Sequence, residues 1–256
     1  MKKLVLSLIA ITNILLFSAC EEDEKIEDQH PKIEDQHPRL KLSVQHKVDS
    51  QYLEFDTLKY VNSVGHKYEV QTLKYFISNI HFHKSGGSKT ILKGPFYINA
   101  EDASTFSINE HVDITSGTYE KISLTFGLDT ASNISNTLNS TEAIGMNWPD
   151  TMGGGYHYMK LEGSYDSLQL GIKKNFTVHT GASKGKPYHI NIEIPNSNFK
   201  VSNKDISVKI QMNVNEWFTD PNDYDFSTYN LMIMMDMIAQ EALKANGKSA
   251  FTAIIN

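Results

Sequence analysis

Cysteine is all but absent: Cys20 is the only one in the chain. Whatever folds after it has no disulfide to staple it, even in an oxidising compartment, so its stability must come from its core. The signatures of common catalysis are missing too, with no G-x-S-x-G elbow, no H-E-x-x-H pair and no P-loop, and the chain is not expected to be an enzyme. Asp150, Glu162 and Asp166 are the nearest approach to an acid/base set, and acidic residues beside turns are ordinarily just solvated. There is no basic tract, and the formal net charge is −6, which argues against nucleic acid as a partner.

What is present begins with an address. MKK precedes an apolar run from Leu4 to Phe17, then Ser18, Ala19 and Cys20, which reads as a secretory signal peptide over residues 1–19. The run is short for a membrane span. A single cysteine where the small residues end resembles a lipobox, although Phe17 stands where that pattern prefers Leu, and it makes Cys20 the expected lipidation site. Residues 20–38 are acidic and polar and carry KIEDQHP twice in tandem, at 25–31 and 32–38. With almost nothing apolar to bury, this stretch reads as a flexible tether, and His30 and His37 as part of a slipped duplication. The expected location is the cell envelope, lipid-anchored at the outer membrane and either periplasmic or surface-exposed, with the anchor as the only membrane contact.

Residues 39–256 alternate with period two. RLKLSVQHKV sets Leu40, Leu42, Val44, His46 and Val48 on one face, and KISLTFGL, YHYMKLEG, YHINIEI and DISVKIQMNV behave likewise between Gly, Asn, Ser and Pro turns. Many short strands predict a mainly-β domain, an antiparallel β-sandwich of Greek-key or jelly-roll-like kind. One C-terminal helix is predicted where Leu231, Met234, Met235, Ile238, Ala239 and Ala242 recur at helical spacing and Gly247 follows as a stop. On that spacing the methionines are core filler.

Strand parity then sorts the histidines. His46 is in phase with Leu42 and Val44, and His157 with Met159 and Leu161, so both point inward. His81 and His83 share a face with Asn79, opposite Phe76, Ile80 and Phe82, and His189 shares one with Asn191 and Glu193; these three read as surface residues. His179, in FTVHTGA, sits at the end of a strand. A buried imidazole lacking a partner costs about 1–3 kcal/mol. A carbonyl, a hydroxyl or a metal ion would each satisfy it, and parity alone leaves the choice open.

Several segments, taken in order, resemble the MbnP-like family of bacterial envelope copper-binding proteins, named for a methanobactin-associated member. They are VQHKV, YVNSVGHKYEVQTLKYFISNIHF at 60–82, GTYEKISLTFGLD at 117–129, GMNWPDTMGGGYHYMKLEG at 145–163, FTVHTGA at 176–182, and the EWF and NG elements near the end. The resemblance implies a β-sandwich binding one Cu(I) for acquisition or handling. Its implied ligands are two histidines and a kynurenine made from tryptophan by a di-haem peroxidase-type partner. Carried onto this chain, they are His46, His179 and Trp148, with His157 as a further ligand or an orienting neighbour. The family's frequent W-x-W arrangement is replaced here by Trp148, Pro149, Asp150 and a glycine-rich insertion. The glycines are expected to let the turn carry Trp148 close to His46 and His179. The competing reading is a metal-free sandwich that binds a glycan or protein through an aromatic platform of Trp148, Tyr156 and Tyr158.

Overall fold

The computed structural model describes residues 37–256 apart from Asn139 and Asn230. The signal peptide, Cys20 and almost all of the tether lie outside the described residues. In chain order the strands are β1 (Arg39–Val48), β2 (Gln51–Tyr52), β3 (Tyr60–Val61), β4 (Lys67–Lys84), β5 (Lys89–Leu92), β6 (Phe96–Asn99), β7 (Ser107–Asp113) and β8 (Gly117–Phe126). A single-turn helix α1 (Thr141–Ile144) precedes β9 (His157–Asp166), β10 (Lys174–Gly181), β11 (Ile190–Ile194), β12 (Phe199–Val201) and β13 (Ile206–Asn213). Helix α2 (Met237–Asn246) and β14 (Phe251–Ile255) close the chain.

The strands form a mainly-β sandwich. One sheet runs β14-β13-β1-β2, with β7 also on β1; the other runs β10-β9-β4-β8-β11, with β3, β5 and β6 on β4 and β12 on β8. The ladders are antiparallel except for β1 beside β13, which run parallel. Alternation in β1 works as the sequence predicts: Leu40, Leu42, Val44, His46 and Val48 all turn into the core. Across the sandwich they meet the inner face of β4 and β8, where Phe126 packs on Trp217 and Phe251.

Of the register shifts in the second sheet, two decide which way the side chains discussed below face. In β4 the register against β8 slips by one residue between Ser78 and His81, where Asn79 takes a left-handed φ of 49°. Ile77 and Phe82 consequently face the same way, opposite Phe126 and Ile122, while Phe76 falls on the face of His81 and His83. The expected grouping of Phe76 with Ile80 and Phe82 fails there, because the extra residue reverses every side chain beyond it. Phe76 is buried all the same, since Tyr156 and Tyr97 cover it from outside. The second bulge, in β9, lies at the candidate site.

The C-terminal helix is present but starts later than its apolar spacing suggests. Asp236 caps it by accepting from the Ile238 and Ala239 backbone N–H groups, and Gly247 ends it. Its buried face is Ala239, Gln240, Leu243 and Asn246. Leu231, Met235 and Ile238, expected in the core, are exposed, and Met234 and Ala242 are half-buried. A helix capped at Asp236 cannot carry the Leu231–Met235 stretch on the same stripe; those residues belong to a separate 3₁₀ turn at Ile233–Met235.

Candidate metal centre

The segment between α1 and β9 folds back on itself as a clasp. Trp148 N–H donates to the Gly155 carbonyl at 2.9 Å and His157 N–H to the Met146 carbonyl at 2.7 Å. The reversal runs through Gly153, Gly154 and Gly155, with φ of 121°, 67° and 83°, conformations that side-chain-bearing residues rarely adopt. Trp148 then lies flat on Gly181: a Cβ added there would stand 2.5 Å from the indole ring. Glycine at 181 is thus the cradle for the tryptophan.

The bulge decides where His157 points. Along β9 and β10 the pairing runs regularly to Thr180 opposite Met159, then skips one residue so that Gly181 pairs with His157. Gly181 shares a face with His179, so His157 is delivered to the His179 face rather than to that of Met159 and Leu161. Simple parity had it inward with those two; the inserted residue reverses it, and the clasp buries it on the outer side of the sheet instead. The result is a line of rings. Trp148 and His157 centroids are 4.8 Å apart, and His157 and His179 are 5.0 Å apart at 89°, edge to face.

Each imidazole has one nitrogen engaged. His157 Nδ1 lies 3.1 Å from the Met146 carbonyl oxygen. A carbonyl only accepts, so the proton sits on Nδ1 and the lone pair on Nε2. Burial, with help from the charges of Lys160 and His179, depresses the His157 pKa to about 3 and keeps the ring neutral. His179 Nε2 lies 2.6 Å from Glu162 Oε1. The His179 hydrogen bond, opposed by partial burial and aided by the charges of His179, Lys160 and Lys74, holds Glu162 below its usual range. Glu162 is therefore a carboxylate that accepts from Nε2–H, which in the neutral ring leaves Nδ1 with the lone pair. An orienting acceptor on one nitrogen and a bare lone pair on the other is the arrangement of metal-ligating histidines. Beside them the Trp148 indole N–H is buried and finds no acceptor. Two imidazole donors beside a buried indole, one ring buried and the other partly exposed, suit copper, and Cu(I) needs few ligands. Among the described residues no group of three or more His, Cys, Asp or Glu side chains is arranged to hold a metal, so a site demanding four such ligands is not offered here.

His46 stands apart. It is buried on β1, its Nε2 2.9 Å from the Tyr75 hydroxyl and its ring against Phe106, and burial lowers its pKa to about 4. Tyr75 pairs with Met159 and Met159 with Thr180, which places all three on the inner face of the sheet. His179 pairs with Lys160 and so projects from the other face. His46 and His179 thus approach the sheet from opposite sides, and the clasp carries Trp148 to His157 and Gly181, not to His46. A tyrosine hydroxyl satisfies His46, one of the alternatives that burial had left open.

Other expectations sort out as follows. Trp148, Tyr156 and Tyr158 are all buried, so they form no surface platform for a glycan or protein. Tyr156 instead accepts a hydrogen bond from Leu138 N–H, and Tyr158 one from Asn133. His81, His83 and His189 are half-buried on the outer face of the second sheet. Asp166 is not a solvated turn residue but buried, gathering the backbone N–H groups of Leu168, Leu170 and Gly171. Gly181 is not marked by the sequence, and Glu162 is marked only as an acid/base candidate, not as the partner of His179. Facing positions in adjacent strands would have revealed them, but which strands are adjacent is not written in one sequence.

No curated protein matches the chain. The solved structure of MbnP from Methylosinus trichosporium aligns over 84% of this chain and 98% of its own, with 13% identity and a TM-score of 0.49. A family model described as MbnP matches residues 37–235, well over half of the chain, and the protein belongs to the MbnP family.

Proposed function

We propose that the protein binds one copper ion as Cu(I) between His157 and His179, beside Trp148, and serves copper acquisition or handling in the cell envelope. The observation that supports it best is the complementary use of the two rings. His157 commits Nδ1 to the Met146 carbonyl and His179 commits Nε2 to Glu162, so that a metal ion displacing any proton from His179 Nδ1 would find one lone pair on each of two imidazoles in ring contact. Trp148 is the residue on which oxidation to kynurenine by a di-haem peroxidase-type partner, which would supply the oxidant, would act: the five-membered ring would open, one carbon would leave as formate, and a ketone oxygen and the former indole nitrogen, now an aniline, would stand next to His157. Its unpaired indole N–H means that no existing hydrogen bond opposes the change. Lipidation at Cys20, with residues 20–38 as tether, would hold the domain at the outer membrane.

The test is copper content by elemental analysis of protein purified from its native host, with the intact mass read on the same sample for modification of Trp148. The wild type is expected to carry about one copper per chain. His157→Ala with His179→Ala should abolish it, and His46→Ala should leave it in place. If the His46 variant loses copper while the paired variant keeps it, the site is assigned to the wrong histidines. Copper-free wild type from the native host would remove the function itself.

A further inference from the structure

We propose that the exposed methionines of residues 232–237 form a second, labile site for a soft monovalent cation, Cu(I), which feeds the His157–His179 pair by ligand exchange. The cation's identity rests on the copper reading above; the site itself rests on its own observations. Four of six consecutive residues are methionine: Met232, Met234, Met235 and Met237. Met232 is 84% exposed, Met235 45% and Met237 38%, although methionine is among the residues most often buried. Helical spacing explained them as core filler; the observed cap at Asp236 removes that explanation and leaves their thioethers in solvent.

The backbone presents these side chains deliberately. Met232 takes a left-handed φ of 62°, a conformation that Gly, Asn and Asp adopt far more readily than methionine. It leads into the 3₁₀ turn Ile233–Met235, which leaves Met232 and Met235 exposed at its two ends while Ile233 is buried. Met237 opens α2 immediately afterwards. The turn is fastened to the copper strand by one buried amide: Gln240 Nε2 donates to the Ile233 carbonyl at 3.1 Å and to the His179 carbonyl at 2.7 Å. One buried side chain therefore bridges the methionine turn and the ligand-bearing position on β10.

Thioether sulfur is a soft donor that selects Cu(I) over hard cations, and three such groups on flexible stems bind it without burying it. That is what a transfer site requires, since the ion must leave for two imidazoles beside a buried indole. The exchange moves no electrons: three Cu–S bonds break, two Cu–N bonds form, the ion passes to a lower coordination number that Cu(I) accepts, and the methionines are regenerated. A surface that merely docks another protein would need apolar area but not sulfur, and would survive Met→Leu.

The experiment uses protein labelled at the methionine methyl groups, carrying His157→Ala and His179→Ala, titrated with Ag(I) as a redox-silent stand-in and followed by NMR. The Met232, Met235 and Met237 methyls should shift together as Ag(I) is added, while those of buried Met146, Met159 and Met212 stay put. Absence of shifts at the three exposed methionines overturns the proposal. Its reading does not depend on the histidine pair, so failure of the copper site and failure of the methionine site are told apart. In otherwise wild-type protein, M232L/M235L/M237L should bind the same amount of Cu(I) at equilibrium but load it several-fold more slowly in stopped-flow. Loading at the wild-type rate would show that the sulfurs do not feed the pair.

Discussion

Acid should unfold this domain through its buried imidazoles before its carboxylates titrate. His46 and His157 are each nearly inaccessible, with pKa values lowered by burial to about 4 and about 3. An unfolded chain returns both to about 6.5. Because the folded values lie below the unfolded one, the unfolded state binds protons first; the stability is full above pH ~6.5 and drains away as the pH falls toward the folded values. At about pH 5 each residue costs roughly 2 kcal/mol by this linkage, about 4 kcal/mol together. Against a typical total of about 5–15 kcal/mol that is a large loss. Urea denaturation of copper-free protein at neutral pH and near pH 5 measures it. His81, His83 and His189 are also lowered, chiefly by burial, so the wild-type slope alone would not isolate the pair. The variants His46→Gln and His157→Gln do, each expected to remove roughly 2 kcal/mol of the acid-induced loss. A wild type whose stability is flat across this range, or variants with the wild-type slope, would refute the claim that these rings are buried neutral.

Two further outcomes follow from the site. Glu162→Gln keeps the shape but replaces the carboxylate that fixes the His179 proton, and should weaken copper binding about 10–100-fold in competition titrations while leaving the urea midpoint nearly unchanged. Gly181→Ala sets a methyl 2.5 Å from the Trp148 ring and should destabilise the fold by about 1–3 kcal/mol, with a shift in tryptophan emission as the indole is pushed off its strand.

Much of the fold is legible in the chain because half-buried strands announce themselves by alternation. β1 shows it in pure form, every second residue from Leu40 to Val48 buried. Legibility ends where a strand carries an extra residue. Asn79 is the one residue of YFISNIHF that takes a left-handed φ readily, but an asparagine in an alternating run does not by itself announce a bulge, and here that residue parts Phe76 from Ile80 and Phe82. The C-terminal helix fails differently: LMIMMDMIAQEAL has helical spacing throughout, but the Asp236 carboxylate, well placed to cap Ile238 and Ala239, starts the helix five residues after Leu231 and strands the methionines outside. Spacing measured the period; the cap chose the phase.

The same logic governs the site. Trp148, His157 and His179 were each recognisable by type, but what gathers them is a one-residue slip between β9 and β10 at Gly181. Without it, His157 would join Met159 on the inner face toward His46 and Tyr75, and His179 would be left alone with Glu162. With it, His157 changes sides and meets His179, and the tryptophan of the clasp packs on His157 and Gly181. His46 illustrates the converse: its parity was read correctly, and correct parity is what separates it from His179, because a sheet stands between them. An inward histidine in a two-layer β domain is therefore a weak pointer to a shared metal site unless its partner projects from the face it approaches, and here that condition is met by His157 and His179 alone among the four residues first singled out.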